Sequence, residues 1–384
     1  MLSNTYPFFL LVFGFYILSF INVIPLKIVK EQRDFFKIVV ILLLVIFAGC
    51  RWSPWEIGID ADIFDYDTYK LVYNAPIKIS NFYQDYLNSD YQVKTMEIGY
   101  VIYSTIMRFL IGDNYNIYLL TTNALLIYLL FKSFKANGIT SGFFFLCYFY
   151  ISRLYLQYNF IIMRQAIALM IIWYAFHYIA IGKKYKFYIA TIISTLFHST
   201  ALIAILTPLL LKVKIKKGLF IFICLSLFLC NILRITDTIF INSLDAVLSL
   251  FGKEGIGRFA KYILLESEGR GMNLLNFIEI IPFVWIATKY KKDLCNNPTG
   301  SMYVKMLYIF IFSMILTMNF GFLTRMTQYF MFPYIYLLYF YIVRTKSKNK
   351  RLILSIIGFY LLVYACRYIM IWFYTTPYSF FLSH

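Results

Sequence analysis

Apolar stretches recur along this chain, and short polar segments rich in lysine separate them. Within the stretches, apolar and polar residues do not alternate with a period of two, so the pattern predicts helices rather than strands. A helix needs about 20 mostly apolar residues to cross a bilayer core. Stretches near that length fall at residues 6–25, 36–50, 115–131, 218–233, 273–290, 302–318, 326–343 and 352–373. Residues 97–112 are apolar but short and contain Arg108, which predicts either a thin span or a helix that dips in and returns. Residues 141–181 form one apolar stretch without proline. At about 1.5 Å per helical residue this is roughly twice a bilayer thickness, so it must fold back once. The polar trio Gln157-Tyr158-Asn159 is the expected turn.

Charge orients these elements. The lysines gather between apolar stretches, as expected of loops on the cytoplasmic side. Residues 344–351 carry five positive charges and no negative one, the clearest inner loop. Lys27, Lys30, Arg33 and Lys37 outweigh Glu31 and Asp34, which places the segment after the first span inside and the N-terminus outside. Residues 187–211 are flanked by Lys183, Lys184 and Lys186 on one side and by Lys212, Lys214, Lys216 and Lys217 on the other. With both clusters inside, this segment is a re-entrant hairpin bending near Phe197-His198-Ser199. Such irregular backbone is tolerated at membrane depth only within protein or beside a wet cavity. The alternative is one long span, which moves Lys132, Lys135 and the first cluster outside; the hairpin violates fewer charges.

Two outer-face loops result, residues 51–96 and 234–271. The second has apolar residues at helical spacing (Ile239, Leu244, Val247, Leu248, Phe251) and is expected to lie on the membrane surface. The fold class is therefore all-α, a polytopic transmembrane helical bundle of about 10–12 membrane helices with both termini outside. Residues 1–384 form a single domain, with no linker and no repeat at a fixed period.

Composition agrees. Hydrophobic residues make up 61% of the 384 and charged residues 14%, with mean hydropathy +0.71, against about 45–50% and about 25% for soluble domains. The net charge of +18 sits in loop clusters, so it marks membrane topology and excludes a nucleic-acid partner. The six cysteines show no CxxC spacing, and neither a metal site nor a disulfide framework is expected. The first apolar stretch lacks a basic leader and is too long for a signal core, so it is expected to be retained.

Against this oily, basic background, residues 51–69 are an anomaly: Glu56, Asp60, Asp62, Asp65 and Asp67 lie among Trp52, Trp55, Tyr66 and Tyr69. The segment is either a solvated acidic loop or part of a polar site at the mouth of a membrane cavity. Asp60-Ala-Asp62 and Asp65-Tyr-Asp67 have a spacing that can hold a divalent cation on a diphosphate, but it is common in acidic loops. A single carboxylate acting as base on a sugar hydroxyl needs no metal.

Charges within spans are costly and mark function. Here they are Arg108, Arg153, Arg164, His177, His198, Glu279, Arg325 and Arg367. Arg153 and Arg164 flank the expected outer turn. Arg164 would open a helix, where unpaired N–H groups and a fork of guanidinium donors suit phosphate oxygens. Arg153 equally suits an arginine snorkelling to lipid headgroups. His198 stands at the suspected helix break, as a hydrogen-bonded core residue or as a base. His177 has no such context and reads as structural. Glu279 shares a helix face with Asn276, three residues before it, and either pairs with an arginine or lines a site.

The order Arg51…Gly58-Ile-Asp60…Tyr69, Glu97-Ile-Gly99-Tyr100, Arg164-Gln165-x-Ile-Ala168, Lys186-Phe187…Phe197-His198-Ser199-x-Ala201-Leu202 and Arg325-Met326-x-x-Tyr329 resembles the EpsG/Wzy group of bacterial O-antigen and capsular polysaccharide polymerases. The resemblance covers most of residues 40–330. One departure is the extra aspartates within residues 61–67, which leave Asp60 and Asp67 both as candidates for one family position. The resemblance implies a GT-C-like, metal-independent glycosyltransferase of the bacterial cytoplasmic membrane with its active site facing outward. Such an enzyme moves a growing glycan from polyprenyl (undecaprenyl) pyrophosphate onto a lipid-linked repeat unit, needs no cofactor, and works beside membrane lipid and a chain-length regulator protein. It implies Asp60, Glu97 or His198 as catalytic base. It implies Arg51, Asp67, Tyr69, Arg153, Arg164, Gln165, Arg325 and Tyr329 as substrate contacts, with Arg164 and Arg325 on the pyrophosphate. The other classes open to such a chain are a flippase or exporter of lipid-linked sugars, expected to show repeated halves, and a membrane O-acyltransferase, expected to centre on a histidine near the cytoplasmic side.

Overall fold

The computed structural model describes residues 5–23, 30–51, 66–213, 216–236, 238, 239, 242, 274–345 and 349–372. Its elements are helices, with no strand among the described residues. Three helices, Tyr115–Ala136, Pro298–Leu316 and Lys350–Ile371, are long and apolar enough to cross a membrane, and shorter apolar helices accompany them. This is the all-α membrane architecture that the pattern predicts. The chain divides into two units, Met1–Leu202 with Leu338–His384, and Ile203–Leu337.

The first unit contains α1 (Tyr6–Val23), α2 (Lys30–Gly49), the short α3 (Tyr66–Asn74), α4 (Phe82–Asn88) and α5 (Tyr91–Lys94), then α6 (Ile98–Ile111) and α7 (Tyr115–Ala136). It continues with α8 (Phe143–Tyr150), a π turn (Ile151–Tyr155), α9 (Leu156–Phe160), α10 (Met163–Ala180) and α11 (Lys184–Phe197). The final helix, Lys350–Trp372, packs back on α1. α8 is apolar and buried on nearly every residue, and α10 is buried on most of its length from Gln165 to Phe176, so these two helices form the core. α1 packs on α8, α2 on α7, and α7 and α11 on α10. Gly49 permits the α2–α7 approach: a Cβ there would stand 2.6 Å from Leu120 Cα.

Buried polar side chains tie these helices together. Ser133 Oγ reaches Met170 O at 3.2 Å, and Asn137 Nδ2 reaches Trp173 O at 2.9 Å. These pairings rise together in number, so α7 and α10 run parallel. Asn159 Oδ1 accepts from Tyr150 OH at 2.7 Å, while its amide donates to Asn123 Oδ1 at 2.9 Å.

That last node corrects the expected turn. The polar trio at 157–159 does not bend the chain, because Asn159 is consumed by partners on α7 and α8. The helix continues to Phe160 and the chain turns at Ile161 and Ile162, whose N–H groups both bond Gln157 O at 3.0 Å. Residues 97–112 contain one continuous helix, α6, rather than a dip and return. The expected break near Phe197-His198-Ser199 is present, with His198 extended at φ −158° and ψ 119° and a 3-10 helix following at Ser199–Leu206. α11 lies antiparallel to α10, with Ser194 Oγ donating to Ala168 O at 2.8 Å. Of the two outer loops, residues 52–65 and 243–273 fall outside the described residues, including most of the expected surface helix.

The second unit contains α12 (Thr207–Leu210), α13 (Lys217–Ile232), α14 (Leu274–Lys289), α15 (Lys291–Cys295), α16 (Pro298–Leu316), α17 (Gly321–Thr327) and the start of α18 (Phe332–Arg344). Asn231 is its tie point: its amide donates to Ile315 O at 2.9 Å, its Oδ1 accepts from Thr236 at 2.7 Å, and its carbonyl accepts from Asn319 at 3.0 Å. Residues 319–325, between the apolar stretches 302–318 and 326–343, are expected to form a short outer turn, but Gly321–Thr327 is helical. The break falls instead at Gln328–Phe330, because Pro333 lacks the N–H that a continuous helix would need.

The Asn159 node generates a prediction. Asn159→Ala strands the Tyr150 hydroxyl and the Asn123 amide oxygen, and should cost about 1–3 kcal/mol, read as a lower thermal unfolding midpoint in detergent. An unchanged midpoint would show that α7, α8 and α9 do not depend on this node.

Candidate functional site

The turn at 161–162 fixes where α10 begins, and two buried side chains hold it. The Arg51 guanidinium donates to Asn159 O at 2.6 Å and Phe160 O at 2.9 Å, the last carbonyls of α9, and to Ala48 O at 3.1 Å near the end of α2. Its Cζ lies 4.5 Å from the Phe160 ring centroid. A cation at a helix C-terminus meets the negative end of the helix dipole. Tyr69, fully buried, donates its hydroxyl to Ile161 O at 3.3 Å and packs on Tyr100 with ring centroids 5.3 Å apart. The structure thus places two of the expected substrate contacts on protein backbone.

Arg164 stands at the second position of α10, its Cζ 5.9 Å from the Tyr69 ring centroid. It forms an ion pair with Glu97. Glu97 precedes α6, and its carbonyl accepts from Tyr100 N and Val101 N at 2.9 and 3.2 Å. Its second carboxylate oxygen accepts from Ser199 N at 3.2 Å, just beyond the end of α11. His198 donates its own N–H to Ser194 O at 3.1 Å, and its Nδ1 lies 2.6 Å from Thr200 Oγ1.

Three helix ends therefore meet at one ion pair: the starts of α6 and α10 and the end of α11. Two are N-termini, whose free N–H groups favour an anion. Beside them, Arg164 and the Ser199 N–H hold a single carboxylate. The pair is partly exposed, with 17% of the Arg164 side chain and 19% of the Glu97 side chain accessible.

Two features of the site were not legible beforehand. The Ser199 N–H is a backbone group, and only the helix break at His198 turns it toward Glu97. Gly99 lets α6 and α11 touch: a Cβ there would lie 2.6 Å from Leu196 O. A glycine two residues after the glutamate was the available signal. Behind them, Tyr118 OH donates to Tyr100 OH at 2.7 Å and lies 2.9 Å from Ser104 Oγ, bracing α6 on α7.

Gln165 is buried within α10. Arg153 sits in the π turn with its Cζ 3.9 Å from the Tyr364 ring centroid. Arg108 is a tie at the far end of α6, bonded to Asp113 at 2.7 Å and to Asn74 O and Ala75 O at 3.0 and 2.6 Å. Arg325 occupies the last turn of α17 and Tyr329 is fully buried in the 3-10 turn after it, both in the second unit. Glu279 is buried in α14. Asp60 and the Asp67 side chain fall outside the described residues, as do both D-x-D pairs. Among the described residues no group of three or more His, Cys, Asp or Glu is placed to hold a metal.

A family model described as the EpsG family matches residues 34–381, nearly the whole chain. No curated protein and no solved structure matches.

The close approach at Gly99 has a built-in control at Gly14, where an added Cβ meets nothing within 4 Å. Gly99→Ala should destabilise the detergent-solubilised chain by about 1–3 kcal/mol. Gly14→Ala should be neutral or slightly stabilising, since alanine favours helix. Equal unfolding midpoints for the two variants would mean that α6 and α11 do not touch there.

Proposed function

The chain belongs to the EpsG family, related to the Wzy-type polymerases, and from that membership we propose that it transfers a growing glycan from a polyprenyl pyrophosphate onto a lipid-linked repeat unit. The observation that carries this reading is the convergence of three motifs distant in sequence. Glu97, Arg164 and the His198-Ser199 break meet at one cationic junction.

The chemistry asks for such a place. The acceptor sugar hydroxyl forms a bond to the anomeric carbon of the donor. The bond from that carbon to the diphosphate oxygen breaks, and its electron pair leaves on the diphosphate. Fixed donors aimed at that developing charge lower the barrier most. Arg164 at a helix N-terminus is such a donor, permanently charged and held by the clamped turn before it. The hydroxyl proton passes to a nearby base, for which Asp60, Glu97 and His198 are the candidates. The aromatic residues of the segment around Asp60 offer faces for sugar rings. Arg325 enters the proposal from its motif alone, as a second diphosphate contact.

In cells, Arg164→Lys keeps the charge but loses the fork. It should cut polymerisation by about 10²–10³-fold, so that single repeats persist on lipid at the outer face while long chains disappear. Normal chain length in that variant would remove the proposal. Repeats stranded at the inner face would favour a flippase instead.

A further inference from the structure

Both oxygens of the Glu97 carboxylate are engaged, one by the Arg164 guanidinium and the other by the Ser199 N–H. These donors come from different helices and converge on one small anionic group. We propose that Glu97 is the resting occupant of an anion subsite, built from Arg164 and the Ser199 N–H, whose working ligand is a phosphoryl group of the donor diphosphate. The arriving diphosphate takes the place of the carboxylate. This rests on the reading that Arg164 meets a lipid diphosphate, and it adds the second donor and the identity of the group displaced.

Three observations support the exchange. A carboxylate and a phosphoryl group each present two oxygens to the same donors, and the diphosphate brings more negative charge to a guanidinium. The ion pair is partly exposed, so a ligand reaches it without opening the fold. The Glu97 backbone is fixed by the bonds from Tyr100 N and Val101 N to its carbonyl, so the carboxylate can swing away by side-chain rotation alone.

The Ser199 N–H adds a constraint. It lies past the end of α11, off the helical ladder, and is exposed, so an incoming anion can reach it. Replacing one anion by another keeps it paired throughout. The exchange also has a chemical consequence. While paired, both carboxylate oxygens are occupied and cannot reach an acceptor hydroxyl. Displaced by the donor, Glu97 is released only when an anomeric carbon is in place for the acceptor hydroxyl to attack, and can then take that hydroxyl's proton.

The test uses the full chain in lipid nanodiscs, with inorganic pyrophosphate and undecaprenyl pyrophosphate as probes. Removing the competing charge with Glu97→Gln should tighten binding of both by about tenfold, as expected when an occupant blocks about nine-tenths of sites, while polymer formation falls. Arg164→Lys should weaken binding. If Glu97→Gln binds no tighter while Arg164→Lys binds less, Glu97 merely braces the arginine; the subsite inference is then wrong and the proposed function stands. If Arg164→Lys leaves binding unchanged, the diphosphate is not held at Arg164 and the reading beneath it fails too. A second measurement needs no variant: on the native chain, saturating pyrophosphate should increase carbodiimide labelling of Glu97, and protection of Glu97 would overturn the exchange.

Discussion

A helix that stops inside a protein leaves carbonyls or N–H groups that must find partners there, and this requirement organises the first unit. α9 ends at Phe160, and its last carbonyls would be orphaned in an apolar core. Arg51 meets them with a delocalised cation, while Tyr69 meets the next carbonyl in the turn. Those bonds decide where α10 starts. The position of Arg164 follows, because its place one residue into the helix is set by the backbone and not by its own long side chain.

The same requirement, met differently, makes the neighbouring site chemical rather than merely structural. At the end of α11 the chain does not cap itself with a side chain. It breaks at His198 and leaves the Ser199 amide directed at Glu97. The starts of α6 and α10 bring positive dipole ends to the same place. The carbonyls at the end of α9 are met by arginine and tyrosine, whereas the Ser199 N–H beyond α11 shares a partly exposed carboxylate with Arg164. An anion can compete for the second arrangement but not for the first.

Rigidity around this junction comes from close packing as much as from hydrogen bonds. Gly49 and Gly99 let helix axes approach to distances that any larger residue would prevent. Tyr100, Tyr118 and Ser104 form a bonded core between α6 and α7, and Asn123 and Asn159 join α7 to α9. In a membrane, where burying apolar surface gives little drive for helices to associate, small residues and interhelical hydrogen bonds carry that task. The polar residues of the apolar stretches thus divide into those that hold helices together and the few that face a site.

Class and family were legible in one dimension because both depend on patterns along the chain. Apolar stretches of helical length, lysine clusters between them, and motifs in a fixed order require no knowledge of which segments touch. Which arginine does what was not legible. Arg51, Arg108 and Arg164 look equally out of place among apolar neighbours, yet Arg51 and Arg108 bond backbone carbonyls at helix ends, whereas Arg164 pairs with a partly buried glutamate that also meets the end of a third helix. The polar trio before Ile161 reads as a turn because its side chains are hydrophilic, and it is helical, with the Asn159 side chain bonded to Asn123 and Tyr150. Composition along a chain fixes what must be buried. Only the packing of helices decides which buried polar groups satisfy one another and which are left to face a ligand.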